Sequence, residues 1–125
     1  YLYPLFMEID SSLREQLSAI KLLQTENGLW RTILDDPDSY EEVSASAGIG
    51  AAMILNENIL HTKYAQKALE GVIANIADDG RVLNVSAGTA VMKTREDYRS
   101  VPKTWTQGWG QGLALAFLSA ASYCL

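Results

Sequence analysis

The chain has 125 residues, 48% of them hydrophobic and 20% charged, a composition typical of one modest globular domain rather than of a disordered or membrane-spanning chain. The net charge is −5 and the basic residues are scattered, which disfavours nucleic acid and anionic membranes as partners. The single cysteine, Cys124, excludes a disulfide framework within the chain and a thiolate metal cluster, so we expect a reducing, cytoplasmic compartment.

The first predicted element is an amphipathic helix over residues 10–24. Its apolar residues recur at helical spacing, with charged and polar residues on the opposite face. Asn27-Gly28 then signals a turn and Asp36-Pro37 breaks any helix. We therefore predict a long structured loop here, with a short extended piece at Leu29–Leu34.

The second helix is predicted to begin near Ser39 and to run to Leu55. Ser39 can cap the backbone while Glu42, three residues later, reaches back, which is the capping-box arrangement. From Val43 to Leu55 the sequence has almost no polar face. A helix that is apolar all round is expected to be buried on all sides.

The second half of the chain repeats this order. Residues 62–76 predict an amphipathic helix, residues 78–105 a long loop with one short strand at Arg81–Val85, and Gly108–Tyr123 a helix that is apolar all round and buried. Exposed and buried helices thus alternate, as they do in two concentric helical layers. Two such hairpins are too few to close a ring. Because the chain also does not begin with Met, we expect it to be the later part of a larger protein or to assemble with other chains.

Three glycines, at positions 108, 110 and 112, open the last helix around Trp109 and Gln111. Glycine is unfavourable in helices, so the pattern needs a reason. One explanation is that the glycines let a ligand approach the unpaired amides of the helix N-terminus, with Trp109 and Gln111 as contacts. The other is that they permit close packing, with Trp109 in the core. The residues alone leave both explanations open.

Other polar residues have structural explanations, which are the stronger ones for Glu41, Glu42 and His61. Glu41 and Glu42 suit an acid and base pair, but acids are also favoured at a helix N-terminus. Arg31 beside Trp30 suits a carboxylate and a stacked sugar, or a solvated side chain. His61 is alone and does not predict a metal site. Further residues lie in predicted loops, where local composition also explains them: Asp35, Asp36, Asp78, Asp79, Tyr98, Lys103 and Trp105.

Three segments together resemble the C-terminal part of the unsaturated uronyl hydrolases, the rhamnogalacturonyl and glucuronyl hydrolases of glycoside hydrolase families 105 and 88. They are NGLWRTILDDPDSYEEVSASAGIGAAM, DDGRVLNVSAGTAVM and QGWGQGLALAFLSA, in that order. The first is similar to a family stretch in which a Gly-Leu-Trp turn leads through an aspartate pair to a Tyr, Glu and Ser, here Tyr40, Glu42 and Ser44. The resemblance covers nearly the whole chain from about Leu13.

The resemblance implies an all-α fold, in which residues 1–125 form the C-terminal helical hairpins of an (α/α)6 toroid with long loops and one short strand pair. It implies a pocket at one end of the inner helices and a substrate with an unsaturated uronic acid at its non-reducing end. In this family an aspartic acid protonates the C4 side of the double bond and directs water to C5. No metal or organic cofactor is implied.

The family's catalytic aspartate lies in the earlier part of the toroid, and no Asp of this chain matches it. We therefore expect this chain to be inactive by itself and to contribute part of the pocket wall. The candidate substrate-binding residues are Trp30, Arg31, Tyr40, Glu42, Trp109 and Gln111. An alternative is a helical binding or assembly module that associates through exposed hairpin faces. A toroid epimerase is disfavoured, because such enzymes use pocket histidines and this chain has one.

Overall fold

The computed structural model describes residues 3–56 and 59–124, and it describes side chains at positions 10–56 and 63–124. Within these ranges the chain is mostly helical. The helices are α1 (Tyr3–Ile20), continued by one 3-10 turn (Lys21–Leu23), α2 (Val43–Leu55), α3 (Ile59–Ile73), the short α4 (Arg95–Arg99) and α5 (Gly108–Cys124). None of these described helices is long and apolar enough to cross a membrane.

Helix α2 is the centre of the fold, because it packs against both α3 and α5. Gly50 of α2 lies against the ring of Phe117 on α5, where a Cβ would collide with the ring. Ala65 and Val72 of α3 are fully buried in the same apolar core. Small residues at these contacts let the helix backbones approach closely, and the apolar sequence of α2 is explained by its central position.

Helix α5 buries one stripe instead of its whole circumference, so the prediction that it is buried all round is wrong. The buried positions are Gly110, Ala114, Phe117 and Ala121, which repeat at helical spacing. Leu115 and Tyr123, on other faces, are 69% and 87% exposed. The physical reason is that, within the described ranges, α5 has its main neighbour on one side, namely α2.

The predicted start of α2 is also wrong. The helix begins at Val43, and its N-cap is Glu42. Ser39 does not cap it: the Ser39 hydroxyl donates to the carbonyls of Ile33 and Asp36, both at 3.0 Å, and closes a turn within the loop. A serine competes well for such local backbone partners, so the same residue type fits a turn and a cap.

The predicted extended segments contribute isolated bridges rather than a strand pair, Arg31 with Glu41 and Ile76 with Val82. Helix α4 lies in a region that we predicted as loop. It begins with a capping box in which Thr94 caps the amide of Asp97 and the Asp97 carboxylate accepts from the amide of Thr94. The sequence signal for this helix is therefore Thr94 followed three residues later by Asp97.

Candidate active-site wall at the loop end

Both long loops lie at the end of the molecule where α2 and α5 begin. Residues 24–42 lead into α2, and residues 74–107 lead into α5. The loops are joined there, because the amide of Val43 donates to the carbonyl of Asn84 at 3.3 Å and Arg99 binds Asp36 at 2.7 Å. We call this region, residues 24–43 and 74–111, the loop end. All six predicted substrate-binding residues fall within these ranges, although Trp30 and Glu42 are buried.

Glu42 joins helix α2 to the second loop. Its side chain is buried, and one carboxylate oxygen accepts from the amide of Ala45 at 2.6 Å. The other oxygen accepts from the amide of Ser86 at 2.9 Å, and the Ser44 hydroxyl donates to the carboxylate at 2.9 Å. These donors all belong to the chain itself, so the carboxylate is occupied by structural hydrogen bonds.

Trp30 lies in the core and not on an open surface. It is 0% exposed, and its ring N–H donates to the carbonyl of Ile20 at 2.8 Å. Its backbone N–H donates to the hydroxyl of Ser46, also at 2.8 Å. The neighbouring Arg31 is half-buried and donates to the carbonyl of Ser39. The structure thus gives Trp30 and Arg31 packing partners, and their role in substrate binding stays a prediction.

At the start of α5, the packing explanation holds for Gly110 but not for Trp109, which is not in the core, and ligand approach stays a prediction. A Cβ on Gly110 would lie 2.6 Å from a methyl carbon of Val85, so this glycine is required for packing. Cβ atoms on Gly108 and Gly112 would meet no atom within 4 Å. Trp109 is 47% exposed, and its ring lies 3.9 Å from the Cβ position of Gly88. Gly110 is therefore closely packed, while the ring of the preceding residue, Trp109, is accessible.

Gln111 holds the second loop in place. Its carbonyl oxygen accepts from the amide of Val82 at 2.6 Å, and its amide donates to the carbonyl of Gly80 at 3.0 Å. Glu42, Gln111 and Trp109 are thus brought together around residues 80–88, whereas Trp30 faces the core. Tyr40 belongs to the first loop, and the ammonium of Lys103 lies 4.3 Å from its ring centroid.

Asp36 forms the main ionic contact between the two loops. It is 2% exposed and accepts two short hydrogen bonds from Arg99, with Nη2–Oδ2 and Nη2–Oδ1 distances of 2.7 and 2.8 Å. Burial raises the pKa of Asp36, but hydrogen bonds from Arg99 and the Asp38 amide, together with the charges of Arg99 and Arg95, outweigh it and lower the pKa. Sequence analysis missed this pair, because nothing in the spacing of Asp36 and Arg99 indicates contact.

Within the described ranges, no three side chains of His, Cys, Asp or Glu are close enough to hold a metal ion. The side chain of His61 lies outside those ranges.

The profile of the family described as Glycosyl Hydrolase Family 88 matches residues 3–123, which is nearly the whole chain. The chain belongs to this family. The Family 88 chain is 61% identical over 117 residues to the unsaturated rhamnogalacturonyl hydrolase YesR of Bacillus subtilis strain 168. That alignment covers 94% of this chain and 34% of YesR, so the chain spans about a third of the length of this relative.

Two solved structures resemble the fold. A possible member of GH105 family from Salmonella enterica superposes with a TM-score of 0.86 at 32% identity, over 93% of this chain and 32% of that chain. A possible member of GH105 family from Klebsiella pneumoniae gives a TM-score of 0.78 at 32% identity, over 86% and 30%. The predicted fold, helical hairpins of an (α/α)6 toroid, is confirmed by these matches.

Proposed function

We propose that this Family 88 chain forms part of the pocket wall of a glycoside hydrolase that acts on oligosaccharides ending in an unsaturated uronic acid. Such oligosaccharides are the products of pectin or glycosaminoglycan lyases. The observation that carries the proposal is the 61% identity, over 94% of the chain, to a protein named unsaturated rhamnogalacturonyl hydrolase. We also propose a cytoplasmic location, which the single, exposed Cys124 supports.

The proposed reaction is hydration of the C4=C5 double bond. The catalytic aspartic acid donates a proton to C4, and a water molecule adds its hydroxyl group to C5. The other proton of that water molecule passes to the aspartate carboxylate. The C5 hemiketal then opens to a ketone and leaves a hemiacetal at C1. This hemiacetal collapses to an aldehyde and releases the rest of the oligosaccharide as an alcohol, so the glycosidic bond breaks without direct attack at the anomeric carbon. This route differs from displacement by two carboxylates at the anomeric centre.

We place the catalytic acid outside the described residues. The buried carboxylates of the described chain are Asp36 and Glu42, and both are held by structural partners. Asp36 is bound to Arg99 and has a lowered pKa, so it is a poor proton donor near neutral pH. Glu42 accepts hydrogen bonds from two backbone amides. These contacts support a wall-forming role for this chain rather than a proton-transfer role.

Trp109 is our leading candidate for direct substrate contact. Its half-exposed ring lies at the loop end beside Gly88, and aromatic rings provide an apolar face on which a sugar ring can pack. By contrast, the polar groups of Trp30, Arg31 and Gln111 donate to or accept from this chain's own backbone.

A chimera tests the proposal. This chain replaces the aligned 117 residues of YesR, and the ultraviolet absorbance of the double bond of an unsaturated rhamnogalacturonyl disaccharide is followed. We expect the chimera to remove the absorbance and the 125-residue chain alone to leave it unchanged. Trp109→Ala in the chimera should raise KM about tenfold, as loss of one stacking contact predicts.

Trp105→Ala is the matched control, because Trp105 is a more exposed tryptophan in the loop that leads into α5. Activity of the isolated chain would show that our placement of the acid is wrong. A folded but inactive chimera would count against the proposed function.

A second candidate function is a non-catalytic assembly module that self-associates. The exposed Leu115 and Tyr123 on α5 support it, since exposed apolar surface tends to be covered by a partner. Light scattering on the purified chain tests this. A monomeric mass that is independent of concentration would argue against it, and a dimer disrupted by Leu115→Glu would support it.

A further inference from the structure

A small polar cavity lies between the two loops, beside the start of α2. Its volume is about 180 Å³, and it is lined by Leu29, Glu41, Val43, Asn75, Asn84 and Lys103. Leu29, Glu41 and Asn75 also line a groove of about 490 Å³ along the first loop and α3, so the cavity and the groove are adjacent. Four of its six lining side chains are polar, which distinguishes it from a packing defect in the core.

Hydrogen-bonding capacity that the described chain does not use converges on this cavity. The ammonium of Lys103 makes no hydrogen bond or ion pair to the described residues, although it lies over the Tyr40 ring. Among the described residues, the Glu41 carboxylate accepts only from the Asn27 amide, at 3.2 and 3.3 Å. The Asn84 amide donates to Asn75 Oδ1 at 2.8 Å, and its own oxygen accepts nothing from the described side chains and backbone.

The arrangement of Asn84 and Asn75 is fixed before any ligand binds. Asn84 has φ of +55°, a conformation that few residues other than glycine adopt, and Asn is one of those few. The backbone carbonyl of Asn84 accepts from Val43, and that of Asn75 accepts from Leu83 at 2.8 Å. The Tyr40 hydroxyl, below Lys103, is enclosed and has no hydrogen-bond partner among the described residues. The chain itself therefore holds Asn84 and Asn75 in position, while the Asn84 side-chain oxygen and the Tyr40 hydroxyl have no hydrogen-bond partner among the described residues.

We propose that this cavity binds a neutral sugar ring. Each sugar hydroxyl both donates and accepts, and the cavity offers a donor in Lys103, an acceptor in Glu41 and both kinds of group in Asn84. The opposite charges of Glu41 and Lys103 leave the site without a net preference for an anion or a cation. The choice of carbohydrate as ligand rests on the proposed function, in which the ring belongs to an oligosaccharide.

The test is a titration of the isotope-labelled 125-residue chain with L-rhamnose, followed by the side-chain amide signals of Asn75 and Asn84 in NMR spectra. We expect both signals to shift with one common, saturable curve. Lys103→Met keeps the length of the side chain but removes its charged donors, so it should weaken binding about tenfold or more. Lys93→Met, at an exposed position away from the cavity, should bind like the native chain.

Three results would overturn the inference: no shift of the two amide signals, equal binding by Lys103→Met, or tighter binding of D-galacturonate than of L-rhamnose at these signals. If Lys103→Met does not fold, the titration of the unaltered chain still shows whether the cavity binds L-rhamnose. The probe has no double bond, so the outcome is separate from the chimera assay. Shifts at Asn75 and Asn84 together with an inactive chimera would support this sugar site and reject the proposed hydrolase role. An active chimera without these shifts would support the hydrolase role and reject the sugar site.

Discussion

The N-termini of α2 and α5 lie at the same end of the molecule, but the chain covers them differently. At α2, the Glu42 carboxylate accepts from the first-turn amide of Ala45, and the fully buried Trp30 packs beside it. At α5, the first turn begins with Gly108, and Trp109 is half-exposed. The start of α2 thus joins the two loops through a buried carboxylate, whereas the start of α5 binds the second loop through Gln111 and leaves the Trp109 ring accessible.

The largest expected difference between the two helix starts is in how much each tryptophan contributes to the free energy of unfolding. Trp30→Ala should reduce the free energy of unfolding by about 3–5 kcal/mol, because it leaves a cavity in the core. Trp109→Ala should change it by about 0.5 kcal/mol, as for most surface substitutions. Urea denaturation followed by circular dichroism measures both. Equal losses would mean that the two helix starts are packed alike, contrary to the structure.

The next largest difference concerns the adjacent glutamates. Glu42→Ala removes the helix cap and leaves the buried amide of Ser86 without an acceptor, so we expect a loss of about 3 kcal/mol. Glu41→Ala removes only a long hydrogen bond from Asn27 and should cost about 0.5 kcal/mol. The same denaturation experiment compares them. A larger loss of stability for Glu41→Ala would contradict the assignment of Glu42 as the residue that joins α2 to the second loop.

The glycines of α5 sharpen the comparison within one helix turn. Gly110→Ala forces a methyl group against the buried Val85 and should destabilise the chain by about 1–3 kcal/mol. Gly112→Ala meets open space and should stabilise it by about 0.5–1 kcal/mol, because alanine loses less backbone entropy in a helix. Thermal melting of the two variants should therefore give shifts of opposite sign. Shifts of the same sign would refute the packing role of Gly110.

The smallest expected effect is the pH dependence caused by Asp36. Folding lowers the pKa of this carboxyl, so the unfolded chain binds more protons in the interval below the ordinary Asp value of about 3.9. The stabilisation is present above that value and is lost as pH falls towards the lower, folded pKa. The partner Arg99 is 30% exposed, and solvent reduces the size of the effect.

Acid titrations of unfolding check this for Asp36→Asn, with Asp79→Asn as the matched control in an exposed pair with Arg81. We expect the slope of stability against pH to flatten more for Asp36→Asn. An unchanged slope would show that the Asp36–Arg99 contact does not persist in solution.

Sequence periodicity was sufficient to predict the long helices, because helical spacing of apolar residues is a local property, but it did not predict that α5 is buried along one stripe only. The resemblance added the toroid, which the solved structures confirm. Sequence patterns were not sufficient to predict the short elements. Ser39 and Thr94 both carry a capping signal, yet only Thr94 caps a helix, since Ser39 finds carbonyl partners within its own loop.

The candidate site shows the same limit. Sequence analysis selected six residues of the loop end by type, but it did not separate Trp30, buried in the core, from the half-exposed Trp109. Nor did it predict that Gln111 binds the loop at Gly80 and Val82. Each of these facts depends on residues distant in sequence.

The sequence by itself determined the all-α class, the position of the long helices and the placement of polar and aromatic residues before α2 and α5. These follow from composition, from helical period and from glycine and proline breaks, all of which act over a few residues. Only the tertiary structure decided which side chains are engaged in contacts within the chain and which remain accessible to solvent. Long-range contacts such as Glu42 with Ser86, Asp36 with Arg99 and Val85 with Gly110 set that division, because hydrogen bonds and steric exclusion act between atoms that the fold brings together.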